Sequence, residues 1–182
     1  MIQSVQRIAK KNNAEHRIYP SRSEDPKKNP LSAKNKIQIM RKVFKNANII
    51  DDPDAKTPFH ALKKLSDSGI ESVILVVGSD RVSELEKQIR PYINHKDPAK
   101  SFNFKHFEVV SAGERDPDAT DVSGMSGSKM RAAAASGDFD SFLLGVPGGD
   151  VKVAKQLFDA LRKGMNIRES CAYYINSLFS YK

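Results

Sequence analysis

The chain of 182 residues has one cysteine, Cys171, and four histidines. A single thiol excludes an internal disulfide and any cysteine-cluster metal site, and it accords with a reducing cytoplasm. His16, His60, His95 and His106 form no His-x-x-His or His-x-Gly-His pattern, so a surface or structural role is the expectation for each. No apolar run is long enough to span a bilayer, and the first residues lack the hydrophobic segment of a secretory signal. Base-stacking aromatics are not interleaved with the basic residues, which argues against a single-strand nucleic-acid platform.

What is present is an ordinary globular composition, 39% hydrophobic and 29% charged. The length suits one well-buried domain with an appendage. The net charge of +8 is unevenly placed: residues 1–50 carry +9 and residues 51–182 carry −1. A basic N-terminal part suits an anionic partner such as phosphates or a charged assembly, or simply a solvated surface.

Hydrophobic periodicity predicts helices over 2–12, 32–44, 58–68, about 80–89, 128–135, 139–144, 151–162 and 168–179. Strands are expected at His16 to Tyr19, Ala47 to Ile50, Ser72 to Val77 and His106 to Val110. Ser-Val-Ile-Leu-Val-Val at 72–77 is the continuous apolar run of a strand buried on both faces of a parallel sheet. Residues 91–104 read as a polar connection. The Gly-Val-Pro-Gly-Gly cluster at 145–149 divides an α/β domain, 1–148, from a C-terminal helical extension, 149–182. Strands alternating with helices imply a parallel sheet with right-handed crossovers. Ligands of such sheets bind beyond the carboxyl ends of the strands, where residues 21–28, 78–81 and 111–131 should meet.

The most informative stretch is Gly-Met-Ser-Gly-Ser-Lys-Met-Arg at 124–131, followed by four alanines. A helix start presents unpaired N–H groups and a positive dipole end, and small residues let an anion approach them. Ser126 and Ser128 add hydroxyls, and Lys129 and Arg131 add charge. A capped surface helix, with Ser126 or Ser128 as N-cap, explains the same residues.

Residues 125–131 resemble the Ile-Ser-x-Thr-x-x-Arg signature of the nucleotidyltransferase superfamily. Lys28-Asn29-Pro30-Leu31-Ser32 resembles the Asn-Pro-Phe-Thr segment of nicotinamide-nucleotide adenylyltransferases, and Val76 to Asp80 is similar to their Gly-x-Asp turn. The likeness spans about residues 1–165 and is nearest to versions carried by tailed bacteriophages. It implies a Rossmann-like α/β fold and transfer of a nucleotidyl group from ATP or CTP to a small phosphate-bearing acceptor. Pyrophosphate is released, and Mg2+ arrives with the triphosphate. By this resemblance Ser126, Gly127, Ser128, Lys129 and Arg131 hold the β- and γ-phosphates, with Ser128 and Arg131 as catalytic groups. Gly78 and Asp80 sit near the nucleobase or acceptor, and Arg22, Lys27 and Lys28 reach the acceptor phosphate.

The superfamily's other signature, Gly-x-Phe-x-Pro-x-His-x-Gly-His on the first strand and its loop, is absent from this sequence. Its histidines stabilise the transferring phosphate, and losing one such donor costs on the order of 10²–10³ in rate. The first strand is also central in that sheet. Without it, its neighbours would stand roughly 9–10 Å apart unless they re-pair or another polypeptide supplies the strand. The resemblance therefore leaves two expectations: a transferase of the infected cell's cytoplasm, or an inactive descendant acting as a structural or interaction protein of the phage particle. Neither needs a membrane or nucleic acid.

Overall fold

The computed structural model describes residues 1–113 and 126–167. Arg168 to Phe179, Cys171 and the residues 114–125 that lead into the serine-rich turn lie outside the described residues.

The chain begins with α1, Ile2–Lys11, whose stripe of Ile2, Val5, Ile8 and Ala9 brings only Ala9 to full burial. Helix α2, Ala33–Val43, starts where the sequence predicts: the Ser32 hydroxyl accepts from the Asn35 N–H. Helix α3, Pro58–Asp67, is capped by Thr57 and has proline in its first turn, where the missing N–H costs nothing. Gly69 follows it at φ +76°, a conformation that glycine adopts without penalty.

Strand β1, Ser72–Val77, pairs in parallel with β2, His106–Ser111, in the register Ser72 to His106 through Val77 to Ser111. Between them run a 3-10 turn at Ser79–Arg81, helix α4, Val82–Ile89, and a second 3-10 turn at Arg90–Tyr92. Helices α5, Gly127–Ser136, α6, Phe139–Leu144, and α7, Val151–Gly164, complete the described chain. It is a mixed α/β structure with a small parallel sheet.

Two apolar clusters hold these elements. One joins α3, α4 and the sheet, with Leu62, Ile89, Phe104, Phe107 and Val109 at its centre. The other joins α5, α6 and α7 around Ala134, Phe142, Ala154 and Phe158. Ala134, Phe142 and Ala154 are wholly inaccessible. Here the alanine run of α5 is useful, because small side chains let a neighbouring helix approach closely. Helix α2 meets α7, where Lys42 Nζ donates to Gln156 Oε1 at 2.7 Å.

Three expectations change. The predicted strands near Ile18 and Ile49 are reduced to one parallel bridge, with the Ile18 N–H on the Asn48 carbonyl and the Ile50 N–H on that of Ile18, both at 2.9 Å. Residues 91–104 are no mere polar connection: Ser101, Phe102 and Phe104 are buried, and Ile93 bridges to Phe102. Finally, β1 is not buried on both faces. Val73 to Val77 are all only half-buried.

Candidate functional site

The start of α5 is built as a cap. Ser126 is extended, at φ −88° and ψ 159°, and its Oγ accepts from the Lys129 N–H at 3.1 Å. Ser128 Oγ accepts from Arg131 Nη2 at 3.1 Å. Each hydroxyl uses its oxygen as acceptor in these bonds, and a serine hydroxyl has one hydrogen to donate as well. The Arg131 guanidinium lies back over Gly127, with Nη1 3.3 Å from the position a Cβ would take there. A larger residue at 127 would crowd it.

Beside this turn is a shallow depression of about 200 Å³, lined by Lys28, Lys36, Gly127 and Arg131 among polar residues and by Leu31, Met130 and Leu157 among apolar ones. The structure thus joins Lys28, from the basic N-terminal part, to the α5 turn nearly a hundred residues later. The Lys28 side of the wall is held by a tight turn. Asp25 and Asn29 exchange backbone hydrogen bonds at 3.0 and 2.8 Å, and Asp25 Oδ1 accepts from the N–H groups of Lys27 and Lys28. Glu24 Oε1 accepts from the Ala33 N–H at the start of α2. The wall also packs against α7: a Cβ on Gly164 would collide with the carbonyl oxygen of Pro30.

Lys36 is the residue that the sequence reading missed. It lies on the first turns of α2 and reads there as a solvated lysine. In the structure it is half-buried, its Nζ donates to the Ser21 carbonyl at 2.5 Å, and it lines the depression. Burial lowers its pKa below the usual 10.5, opposed by the nearby Glu24 carboxylate. The only sequence signal was its position four residues after an N-cap serine, on the same segment as Lys28.

The other predicted residues are placed elsewhere. Arg22 is engaged with the Asp52 carbonyl through Nε at 2.7 Å and with Asp51 Oδ1 through Nη2 at 2.5 Å. Asp80 lies in the 3-10 turn after β1 and folds back on Gly78, where a Cβ would stand 2.5 Å from its Oδ1. Neither Gly78, Asp80, Lys27 nor Lys129 lines the depression. Each histidine makes a local contact: His16 Nε2 accepts from the Asn48 N–H, His60 Nδ1 meets Thr57 Oγ1, His95 Nδ1 accepts from the Asp97 N–H, and His106 faces Glu108.

No family model, curated protein or solved structure matches the chain. The site must be read from its own residues. Among the described residues no group of three or more His, Cys, Asp or Glu side chains could hold a metal ion, and no helix is long and apolar enough to cross a membrane. The depression offers two lysines, one arginine and the Gly127 backbone at a helix start, set among apolar side chains; Ser126 and Ser128, two of the predicted phosphate ligands, flank Gly127 but do not line it. That set suits a phosphate group and gives a proton acceptor no obvious place.

Proposed function

We propose that the depression at the start of α5 binds the phosphates of a nucleoside triphosphate, and that the chain is a Rossmann-like nucleotidyltransferase domain. One observation carries this reading: Lys28, Lys36 and Arg131, from separate parts of the chain, line one depression at a serine- and glycine-rich helix start. In the reaction an oxygen of a phosphate-bearing acceptor attacks the α-phosphorus of ATP or CTP. The bond between the α-phosphorus and the bridging oxygen breaks, and pyrophosphate leaves with the charge. Arg131, the two hydroxyls and the amides hold the β- and γ-phosphates as that charge develops. Lys28 and Lys36 hold the acceptor phosphate or the outer triphosphate oxygens. Magnesium, where used, is carried on the triphosphate, since the residues named supply no carboxylate cage.

The histidine contacts favour a second reading. None of the four lines the depression, so this chain has no imidazole for the transferring phosphate at that place. A domain that binds a triphosphate without transferring it, serving in an assembly such as a phage particle, has the same site. Equilibrium binding of ATP and CTP with magnesium, followed by a pyrophosphate-release assay with candidate acceptors, separates the two. Binding with release supports the transferase, and binding without release supports the assembly role. No binding to either nucleotide overturns both.

A further inference from the structure

A second depression, of about 220 Å³, adjoins the one at the start of α5. It runs between α2 and the segment joining α6 to α7, with Met40, Val43 and Phe44 on one side and Val146, Pro147 and Leu157 on the other. Leu31, Lys36 and Leu157 line both depressions, so the two form one continuous groove. Its ends differ in chemistry. Lys28, Lys36 and Arg131 stand at one end, and past Lys36 every lining side chain is apolar. Among the described residues none of these three cations is in an ion pair with a carboxylate, whereas Arg22, Lys64 and Arg90 are so paired. The Glu24 carboxylate near Lys36 accepts from the Ala33 N–H instead.

Met40, Val43, Phe44, Pro147 and Leu157 are only half-buried. Apolar side chains that border empty space forfeit dispersion contacts on that side, and contiguous apolar surface beside a few charged groups is the make-up of a small-molecule groove. The apolar arm has no donor or acceptor side chain for a nucleobase edge or a sugar hydroxyl, and burying such groups unpaired is unfavourable. A hydrocarbon has no such requirement. The cationic end imposes the opposite one, an anionic head. A short chain fills a space of this size, and the paired long chains of a membrane lipid do not fit it.

We propose that the groove binds a soluble phosphate monoester with a short hydrocarbon body. The phosphate lies among Lys28, Lys36 and Arg131, and the hydrocarbon lies along α2 toward Phe44. This rests on reading the depression at α5 as a phosphate site, and it names the class of the phosphate-bearing acceptor: an alkyl or alkenyl phosphate rather than a sugar phosphate. Lys36, which lines both depressions, marks where the head gives way to the body.

Nuclear magnetic resonance titration of the isotope-labelled full chain with methyl, butyl and hexyl phosphate tests this. Affinity should rise about threefold to fourfold for each added methylene until the arm is full. Every ester should shift the amides of Lys28, Gly127 and Arg131, and only butyl and hexyl phosphate should also shift those of Val43 and Gly145. Met40→Gln and Val43→Thr nearly keep side-chain shape and add polar atoms to the arm. Both should remain folded by circular dichroism, keep the affinity for methyl phosphate and cut the advantage of hexyl phosphate by roughly threefold or more. Lys28→Ala should weaken all three esters alike. Equal affinity for methyl and hexyl phosphate overturns the proposal and leaves the phosphate site standing, and so does glycerol phosphate binding as tightly as hexyl phosphate. An absence of shifts at Gly127 and Arg131 with every ester and with ATP overturns the phosphate reading as well. Binding only to vesicles of phosphatidylcholine and phosphatidate, with none to the soluble esters, overturns the proposal in favour of a lipid surface.

Discussion

Arg131 and Lys36 are the residues on which the proposed site turns. Arg131 is tied to Ser128 and lies over Gly127, so its charge is held where a phosphate would meet the α5 amides. Arg131→Ala should weaken ATP or CTP binding by tenfold or more, about 1.4 kcal/mol, as titration calorimetry would show. Lys36 adds a pH signature. Its pKa is lowered by burial, so its proton leaves at lower pH than that of an exposed lysine. A bound anion favours the charged form, and affinity should therefore decline as pH rises, beginning below 10.5. Lys36→Met should flatten that decline. A decline of the same size in Lys36→Met would remove Lys36 from the site.

Five of the seven α-helices among the described residues start on a side-chain cap, local chemistry that the sequence reading named at Ser32 and at the serines of α5, while α1 and α4 have none. Ser32, Thr57, Ser126, Asp138 and Asp150 all accept from an N–H within their own first turn. The two roles of Ser126, cap and ligand donor, can be separated. Ser126→Ala should cost about 1 kcal/mol of stability through the lost cap, read from chemical denaturation. Ser126→Asp keeps an acceptor for the Lys129 N–H and so should retain most of that stability, yet it places a carboxylate against the triphosphate and should lower affinity at least as much as Ser126→Ala. Equal affinity for wild type and Ser126→Asp would leave Ser126 as a cap alone.

At the scale of the molecule, the depression exists because α7 clamps the Lys28 to Leu31 segment against α5. Gly164 meets the Pro30 carbonyl, which cannot move aside as the end of a side chain can. Gly164→Ala should destabilise the protein by about 1–3 kcal/mol despite the better helix propensity of alanine. Gly78→Ala meets only the flexible Asp80 carboxylate and should cost far less. Denaturant midpoints of the two variants test this contrast; equal effects would mean that α7 does not hold the wall. Phe142, wholly buried between α6 and α7 and 5.1 Å from the Phe158 ring centroid, should cost about 3–5 kcal/mol when replaced by alanine.

The sequence by itself determined what short-range chemistry dictates: the helices among the described residues, the caps at Ser32 and Ser126, and the two longer strands. It named Lys28 and Arg131 separately as candidate phosphate ligands. Their meeting in one depression, with Lys36 beside them, came only from the packing of α2, α5 and α7, since contacts between distant segments leave no periodic trace in the chain. The same limit explains the buried phenylalanines of 101–104, where a mostly polar composition hid two core side chains. It explains β1 most clearly. Its residues specify a strand with apolar surroundings on both faces, but which neighbour supplies them is a matter of tertiary structure, because backbone hydrogen bonds between strands carry no sequence label of their partner.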